Sequence, residues 1–518
     1  MGDKLTSSST QLQVFDAYVW AQRLRHDLAC ILGFDIDSDR LAFYLSSLTQ
    51  HNQYNTTEEI REWVRSLNSS HLFEIERVPL TELKHWSINA WSGDIEHDSG
   101  QFFAIRGLRT RTNTGAVPEW SQPIIHQPEV GILGFLAKEF NGVLHFLVQA
   151  KAEPGNINTY QLSPTVQATR SNYTRVHGGA ATPYLEYFID SNKSEVLVDQ
   201  LQSEQGARFF RKRNRNMIVQ VSSDEKVADS ELHRWMTLGQ LLTLMQDDNT
   251  MNMDARSVLA CIDYGPRSAT IRSQVDVVTL TDCLECSPLV ASPVSSFGIK
   301  VAVSAHPSSV PVHSMESLLR MITRAKFATE LESDLIALND IRDWRRSPMS
   351  IEHQDDKYFR VLGVRVRAST REVHEWDQPI VEQCSPGLVG FVCKQIGGVL
   401  HFLVQLKTES GVLDLLEMAP SVQCITSNYA PEQLPPQADL FLNPDKEQVI
   451  VDCFQSEEGG RFYHEANENM ILFVDDDFEP SNPEDALWMT IRQMKELIRF
   501  NNFLNVESRS ALACLELC

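Results

Sequence analysis

The sequence predicts an α+β fold built twice in tandem. Three observations carry that reading. Long blocks of the chain return at a fixed offset. Within each copy a helical stretch precedes a run of strands, and helical stretches close it, the pattern of segregated α+β units. Finally, 42% hydrophobic and 22% charged residues over 518 positions describe a globular chain too long for one ordinary core.

The repeat is direct. Glu119-Trp120-Ser121-Gln122-Pro123-Ile124 returns as Glu375-Trp376-Asp377-Gln378-Pro379-Ile380, GVLHFLVQ stands at both 142–149 and 398–405, and Ser171-Asn172-Tyr173 returns at 427–429, all offset by 256 residues. Gln202-Ser203-Glu204, Trp235-Met236-Thr237 and Leu259-Ala260-Cys261 return as Gln455-Ser456-Glu457, Trp488-Met489-Thr490 and Leu512-Ala513-Cys514, offset by 253. Two registers separated by one short deletion mark a domain duplication, not a solenoid of short units. The expected organisation is an N-terminal helical extension (1–57), a first copy (58–261), a linker or insertion (262–314) and a second copy (315–518).

The elements follow in order. Gln11–Leu32 and Arg40–Leu48 have helical spacing and suit a cap or a dimer contact. Thr56 and Thr57 are N-cap residue types ahead of an amphipathic helix over Glu58–Leu67. Strands are expected at Phe102–Arg111, Gly131–Lys138, Val143–Lys151, Tyr160–Ala168 and Met217–Val221, and helices at Leu238–Met245 and Asp254–Cys261. The segment between the copies is rich in Ser, Val and Pro, with a strand expected at Ile299–Val303.

Charge narrows the function. A net charge of −23 argues against a general nucleic-acid binder, which needs a basic surface. No apolar run has the length of a membrane span, and the polar, Ser-rich Met1–Thr10 lacks a signal-peptide layout. Ten scattered cysteines complete the expectation of a cytoplasmic protein. Cys283 and Cys286 form a lone CxxC without a second ligand pair, weak evidence for zinc. Dinucleotide, P-loop and HExxH motifs are absent.

The strand at 143–151 is the first chemical signal. Side chains alternate, so Leu144, Phe146, Val148 and Ala150 share one face while His145, Gln149 and Lys151 share the other, with Glu153 following in phase. Such a polar row is usually a solvated sheet face. Here His145, Gln149, Lys151, Glu153 and Gln167 all return, as His401, Gln405, Lys407, Glu409 and Gln423, which a merely solvated face does not require.

The second signal is basic. Five of the eight residues from Arg208 to Arg215 are Arg or Lys, namely Arg208, Arg211, Lys212, Arg213 and Arg215, and Asn214 lies among them. That density suits a diphosphate, gripped bidentately by Arg and as a point charge by Lys. A salt-bridged surface run is the competing explanation. The second copy keeps Arg461, Asn467 and Asn469 but replaces the other cations, and Glu153-Pro154-Gly155-Asn156 becomes Glu409-Ser410-Gly411-Val412. The first copy is therefore expected to carry the working site, with Asn156 in it, and the second to be degenerate, structural or regulatory. Trp120, Trp235 and Tyr173 are candidates for base stacking, although each is more often a core or interface aromatic.

The blocks EWSQPI, GVLHFLVQAKAEPGNINTYQLSPTVQATRSNY, QSEQGARFFRKRNRNM and NMDARSVLACI resemble those of the NDP-hexose 2,3-dehydratases of bacterial deoxysugar pathways. The resemblance spans both copies. It implies two Nudix-like domains per subunit, a homodimer and a dTDP-linked 4-keto-6-deoxyglucose substrate. The glutamate-rich box of Nudix hydrolases is absent, which argues against pyrophosphate hydrolysis.

The reaction so implied needs no redox cofactor, and the sequence leaves a divalent ion open. A base removes the proton on C3, an acid assists departure of the C2 hydroxyl, and donors face the C4 oxygen. Glu153 or His145 are the candidate bases, Lys151, Gln149 and Gln167 the donors, and Tyr173 the acid. Trp120, Asn156 and the basic run are the expected substrate contacts. Another sugar-nucleotide enzyme, or a non-catalytic sugar-nucleotide binder, remains the alternative.

Overall fold

An Asn-Gly pair sets the centre of the first repeat. Asn141 and Gly142 both adopt positive φ (50° and 77°), the backbone of a tight hairpin turn. The turn folds Gly131–Phe140 back on Val143–Ala152, pairing Phe140 with Val143 and Leu136 with Leu147. Arg213–Gln220 runs parallel to the first of these strands and Glu195–Ser203 flanks it, while His233–Thr237 lies against the second. Tyr160–Ser163 and Val166–Ala168 complete a seven-stranded mixed sheet. The single strand expected at 160–168 is thus two, interrupted at Pro164, which has no N–H for a ladder. The second repeat builds the same sheet around Gly387–Ile396 and Val399–Lys407.

The computed structural model describes residues 16–173, 181–267, 274–290, 295–483 and 486–515. The chain is mixed α/β, with two seven-stranded and two five-stranded sheets among the described residues. The five-stranded sheets are hybrids. Phe73–Val78, from the first repeat, pairs with Phe359–Ala368 of the second, from Phe73↔Ala368 to Val78↔Gly363. Reciprocally, Leu331–Ile336 of the second repeat pairs with Ala104–Thr112 of the first. The repeats therefore exchange a strand each, and neither sheet is complete within one copy.

One hydrophobic core crosses the exchange, taking Phe135 and Phe146 from the first repeat and Phe391 and Phe402 from the second. The helices Met253–Ala260 and Val506–Ala513 meet within it, each inserting a fully buried arginine across the pseudo-symmetry. Arg256 donates to Ser510 Oγ (2.7 Å), Gln455 Oε1 (3.1 Å) and the Ser456 carbonyl (2.7 Å). Arg509 reaches Ser257 Oγ (3.0 Å), the Leu504 carbonyl (2.6 Å) and the Ser203 carbonyl. Buried charge is tolerated only with its hydrogen bonds made, and here most of the partners come from the opposite repeat.

The helix expected at 58–67 spans Thr57–Ser70 and starts in a capping box between Thr56 and Glu59. The strand expected at Ile299–Val303 is instead part of a helix, Ser296–Ala305. Ser295 caps it, accepting from the Phe297 and Gly298 amides, and burial of Phe297, Val301, Ala302 and Ala305 against the core overrides the strand preference of its β-branched residues. Ser304 Oγ donates to the Leu400 carbonyl (2.6 Å) and accepts from the Ile491 amide (3.0 Å). In the helix Asp39–Leu48, Ser46 makes the same two bonds, to Leu144 (2.6 Å) and from Leu238 (2.9 Å). The expected extension and the expected linker thus carry the same structural element, so the repeated unit begins upstream of the sequence-visible blocks.

Candidate active site

The strand Val143–Ala152 delivers Lys151 to the edge of a cavity of about 470 Å³, the size range of small-molecule sites. Glu153 follows in a tight loop. Asn156 Nδ2 holds that loop by donating to the carbonyls of Lys151 (3.3 Å) and Thr159 (2.8 Å). The second repeat clasps it from outside, because the Gly155 amide donates to the Gly459 carbonyl (2.7 Å) and the His464 amide donates to the Gly155 carbonyl (2.8 Å). A Cβ at Gly155 would lie 1.5 Å from the Phe462 carbonyl oxygen, so only glycine permits this approach.

Glu153 is 3% exposed. Its Oε1 accepts from Lys151 Nζ (3.1 Å) and Gln167 Nε2 (3.3 Å), with an Arg371 guanidinium nitrogen at 4.0 Å. Its Oε2 is buried without a hydrogen-bond partner. Burial alone raises this carboxyl, but the charges of Lys151, Arg371 and Arg461 outweigh it and hold the group below the usual glutamate range.

Asp254 projects from the first turn of Met253–Ala260 into the same cavity. It is 2% exposed and its Oδ1 has no partner. Burial, then the charges of Glu458, Glu204 and Glu153, push it well above the carboxylate range. Glu458 is also raised, by burial first and despite Arg461. One cavity therefore holds a carboxyl whose surroundings favour its ionised form and another whose surroundings favour its protonated form, the division that acid–base catalysis requires.

Two further groups of residues line the cavity. Lys212 donates to the Glu129 carbonyl, and burial lowers its pKa. Asn214 bridges Glu204 Oε1 (2.7 Å) and the Gly131 amide (3.0 Å). Trp86, His97, Phe102 and Phe103 make an aromatic wall, with centroids 4.9 Å apart for Trp86–Phe103 and 4.8 Å for His97–Phe102. Arg461 lies over the Phe103 ring at 4.2 Å. Arg371, Trp376, Glu458 and Arg461 all come from the second repeat, so the site is composite.

The sequence-predicted residues divide accordingly. Glu153, Lys151, Gln167, Lys212 and Asn214 meet at the cavity; His145, Gln149, Trp120, Asn156, Arg208, Arg211, Arg213 and Arg215 do not line it. His145 is buried at the far end of its strand against Phe140 and Tyr54, where burial pushes its pKa down to about 4. Gln149 lies on the strand flank between Ser163 and His233. The polar strand face is covered by protein, not solvated.

The basic run alternates along Arg213–Gln220 and the residues just before it. Lys212 and Asn214 point inward, while Arg215 is tied to Asp199 (2.6 Å) and exposed Arg211 sits over the Phe210 ring at 4.8 Å. Arg208 crosses to the second repeat, stacking on Phe359 at 4.3 Å. The strand exchange moves Trp120 away and brings its counterpart Trp376 in. Trp235 packs on Phe140 (5.2 Å) outside the cavity. Tyr173 ends a short helix, and its side chain lies outside the described residues. Sequence reasoning missed Asp254, Arg371 and Glu458. Asp254 stood inside the NMDARSVLACI block, but an acidic residue in a helix's first turn reads as ordinary dipole complementation.

Residues 57–262 and 315–515 both match the NDP-hexose 2,3-dehydratase family, so the match covers well over half of the chain. The chain belongs to that family. It is 42% identical over 476 residues to a dTDP-4-dehydro-6-deoxy-α-D-glucopyranose 2,3-dehydratase of Saccharopolyspora spinosa, covering 91% of this chain and 94% of the relative. It is 40% identical over 486 residues to a protein of the same name from Amycolatopsis orientalis, covering 92% and 93%.

Within this family member the two repeats differ at the cavity. Lys407 and Glu409 repeat the pair at 3.5 Å, and Gln423 again donates to the carboxylate (3.1 Å). However, Glu465 replaces Lys212, Glu507 replaces Asp254, and Gly115 stands where the second repeat has Arg371. Burial pushes Glu465 up to about 8, so the position of the Lys212 cation is held by a carboxyl with a raised pKa. No group of three or more His, Cys, Asp or Glu side chains suited to a metal ion occurs among the described residues, and no described helix is long and apolar enough to cross a membrane.

Proposed function

We infer that the protein removes water across C2 and C3 of a dTDP-linked 4-keto-6-deoxyhexose, giving a 3,4-diketo-2,6-dideoxy sugar. The observation that carries this beyond family membership is Glu153, a buried carboxylate held ionised beside Lys151 in the lining of a nucleotide-sugar-sized cavity, with one oxygen making no hydrogen bond. The C4 ketone acidifies the C3 proton. Glu153 takes that proton, and Lys151 and Gln167 fix the carboxylate's orientation and offer donors beside the developing C4 oxyanion. Loss of the C2 hydroxyl restores the ketone and leaves an enol, which tautomerises.

Lys212, Arg371 and Arg461 supply the positive charge that a diphosphate needs inside an acidic protein, and the aromatic wall supplies faces for a base. The working site belongs to the first repeat, completed by loops of the second; the second repeat's own site is a structural or degenerate copy. The parallel pairing within a mixed sheet, repeated twice, is compatible with a Nudix-like scaffold carrying two domains at 58–261 and 315–518. A cytoplasmic homodimer completes the proposal.

Incubation with dTDP-4-keto-6-deoxyglucose, with and without EDTA, followed by mass spectrometry of the nucleotide sugar, tests the reading. Loss of one water with the nucleotide still attached supports it, and the EDTA arm decides the metal question. Release of dTMP would make the protein a hydrolase, and bound but unchanged sugar would make it a binder.

A further inference from the structure

We propose that Asp254 is the general acid, donating its proton to the C2 hydroxyl as that group leaves. The proposal rests on the dehydratase reading and names the residue for its unassigned half. Glu153 takes a proton; something must give one. Three geometric facts select Asp254. It lines the cavity that Glu153 lines. It is 2% exposed and its Oδ1 makes no hydrogen bond, so its polar end is committed to nothing in the protein. It is carried by the helix Met253–Ala260, whose Asn252 cap accepts from the Ala255 amide and whose Asn252 Nδ2 donates to Gln167 Oε1 at 3.2 Å. The helix start and the Glu153 partner Gln167 are thus joined through one side chain, which fixes the two carboxyls relative to each other.

The surroundings supply the proton. Burial first, and then the carboxyls of Glu458, Glu204 and Glu153, raise the Asp254 pKa, while Lys151 opposes; the net effect favours its protonated form. The cations Lys212, Arg461 and Arg256 are also close enough to couple electrostatically to Asp254. Glu458 is the other raised carboxyl lining the cavity, but it sits on a loop facing the Arg461 guanidinium. The step balances. The C3–H bond breaks to Glu153, its electron pair becomes the C2–C3 double bond, the C2–O bond breaks, and the Asp254 proton completes the departing water. Tautomerisation then adds a proton at C2 and removes one from the C3 hydroxyl, returning Glu153 and Asp254 to their starting states without an external acid or base.

The test separates proton removal from water loss. With substrate deuterated at C3, Asp254→Asn should keep exchanging that deuterium with solvent while water loss falls about 10²–10⁴-fold, the usual contribution of a general acid. A 2-fluoro substrate analogue, whose leaving group needs no proton, should be processed by Asp254→Asn at close to the wild-type rate. Asp254→Glu, which installs the residue found at the equivalent position 507, should recover part of the water loss and guards against a misfolded Asn variant. Wild-type water loss by Asp254→Asn, loss of exchange and fluoride release together, or the same split pattern in Glu458→Gln would each overturn the assignment. If wild-type protein released no water at all, the dehydratase reading would fall first.

Discussion

Arg371, carried by the second repeat, places a guanidinium nitrogen 4.0 Å from the Glu153 carboxylate carried by the first. The counterpart of Arg371 in the first repeat is Gly115, so this relationship exists once in the molecule. It makes the site asymmetric although the fold is symmetric. It also sets the sign of a pH effect. The folded-state pKa of Glu153 lies below its unfolded value, so its contribution is present above the ordinary glutamate value and is lost as pH falls through the folded one.

Arg371→Gly should therefore shift the acidic limb of the kcat profile upward by about one pH unit, the low end of what a neighbouring opposite charge supplies. A pH–rate profile of the variant checks this. An unmoved limb would mean that Arg371 contacts substrate without influencing Glu153.

Glu153→Gln should cut kcat about 10²–10⁴-fold while dTDP affinity stays near wild type. Isothermal titration with dTDP beside a turnover assay reads both. Near-normal turnover would remove Glu153 from the chemistry.

Within the basic run, Lys212→Met should raise KM for the nucleotide sugar, because Lys212 alone among the run's cations lines the cavity. Arg215→Ala should change KM by less than about twofold, since exposed pairs such as Arg215–Asp199 contribute little. Equal effects from the two variants would restore a diphosphate role to the whole run.

Gly155→Ala should destabilise the protein, toward the upper end of the about 1–3 kcal/mol typical of overpacking, because its Cβ meets the Phe462 carbonyl. Arg256→Ala should cost about 3–5 kcal/mol by stranding Gln455 and the Ser456 carbonyl in the core. Thermal unfolding checks both. Two separated transitions in Gly155→Ala would show that the repeats are less interlocked than their exchanged strands imply.

The sequence by itself determined the duplication, the mixed α/β character, the resemblance to the dehydratases, and the position of Lys151 and Glu153 on one row, with Gln167 in a second polar row on a neighbouring segment. Each is a local property: identity at a fixed offset, or a period of two along a strand. It also located most helices and central strands, since capping and alternation act within a few residues. Only the tertiary structure decided which elements complete which site. The exchanged strands join Phe73–Val78 to Phe359–Ala368 and Leu331–Ile336 to Ala104–Thr112, and the same interlocking brings Trp376, Arg371 and Arg461 to the first repeat's carboxylates. It decided too that the Ile299–Val303 segment is helical, because burial outweighed its β-branched preference. The separations involved are hundreds of residues, and no spacing rule reads a contact that side-chain packing alone creates. Asp254 shows the same limit: a first-turn aspartate is unremarkable in sequence, and its pKa is raised by burial first and then by the three other carboxyls that fold around it.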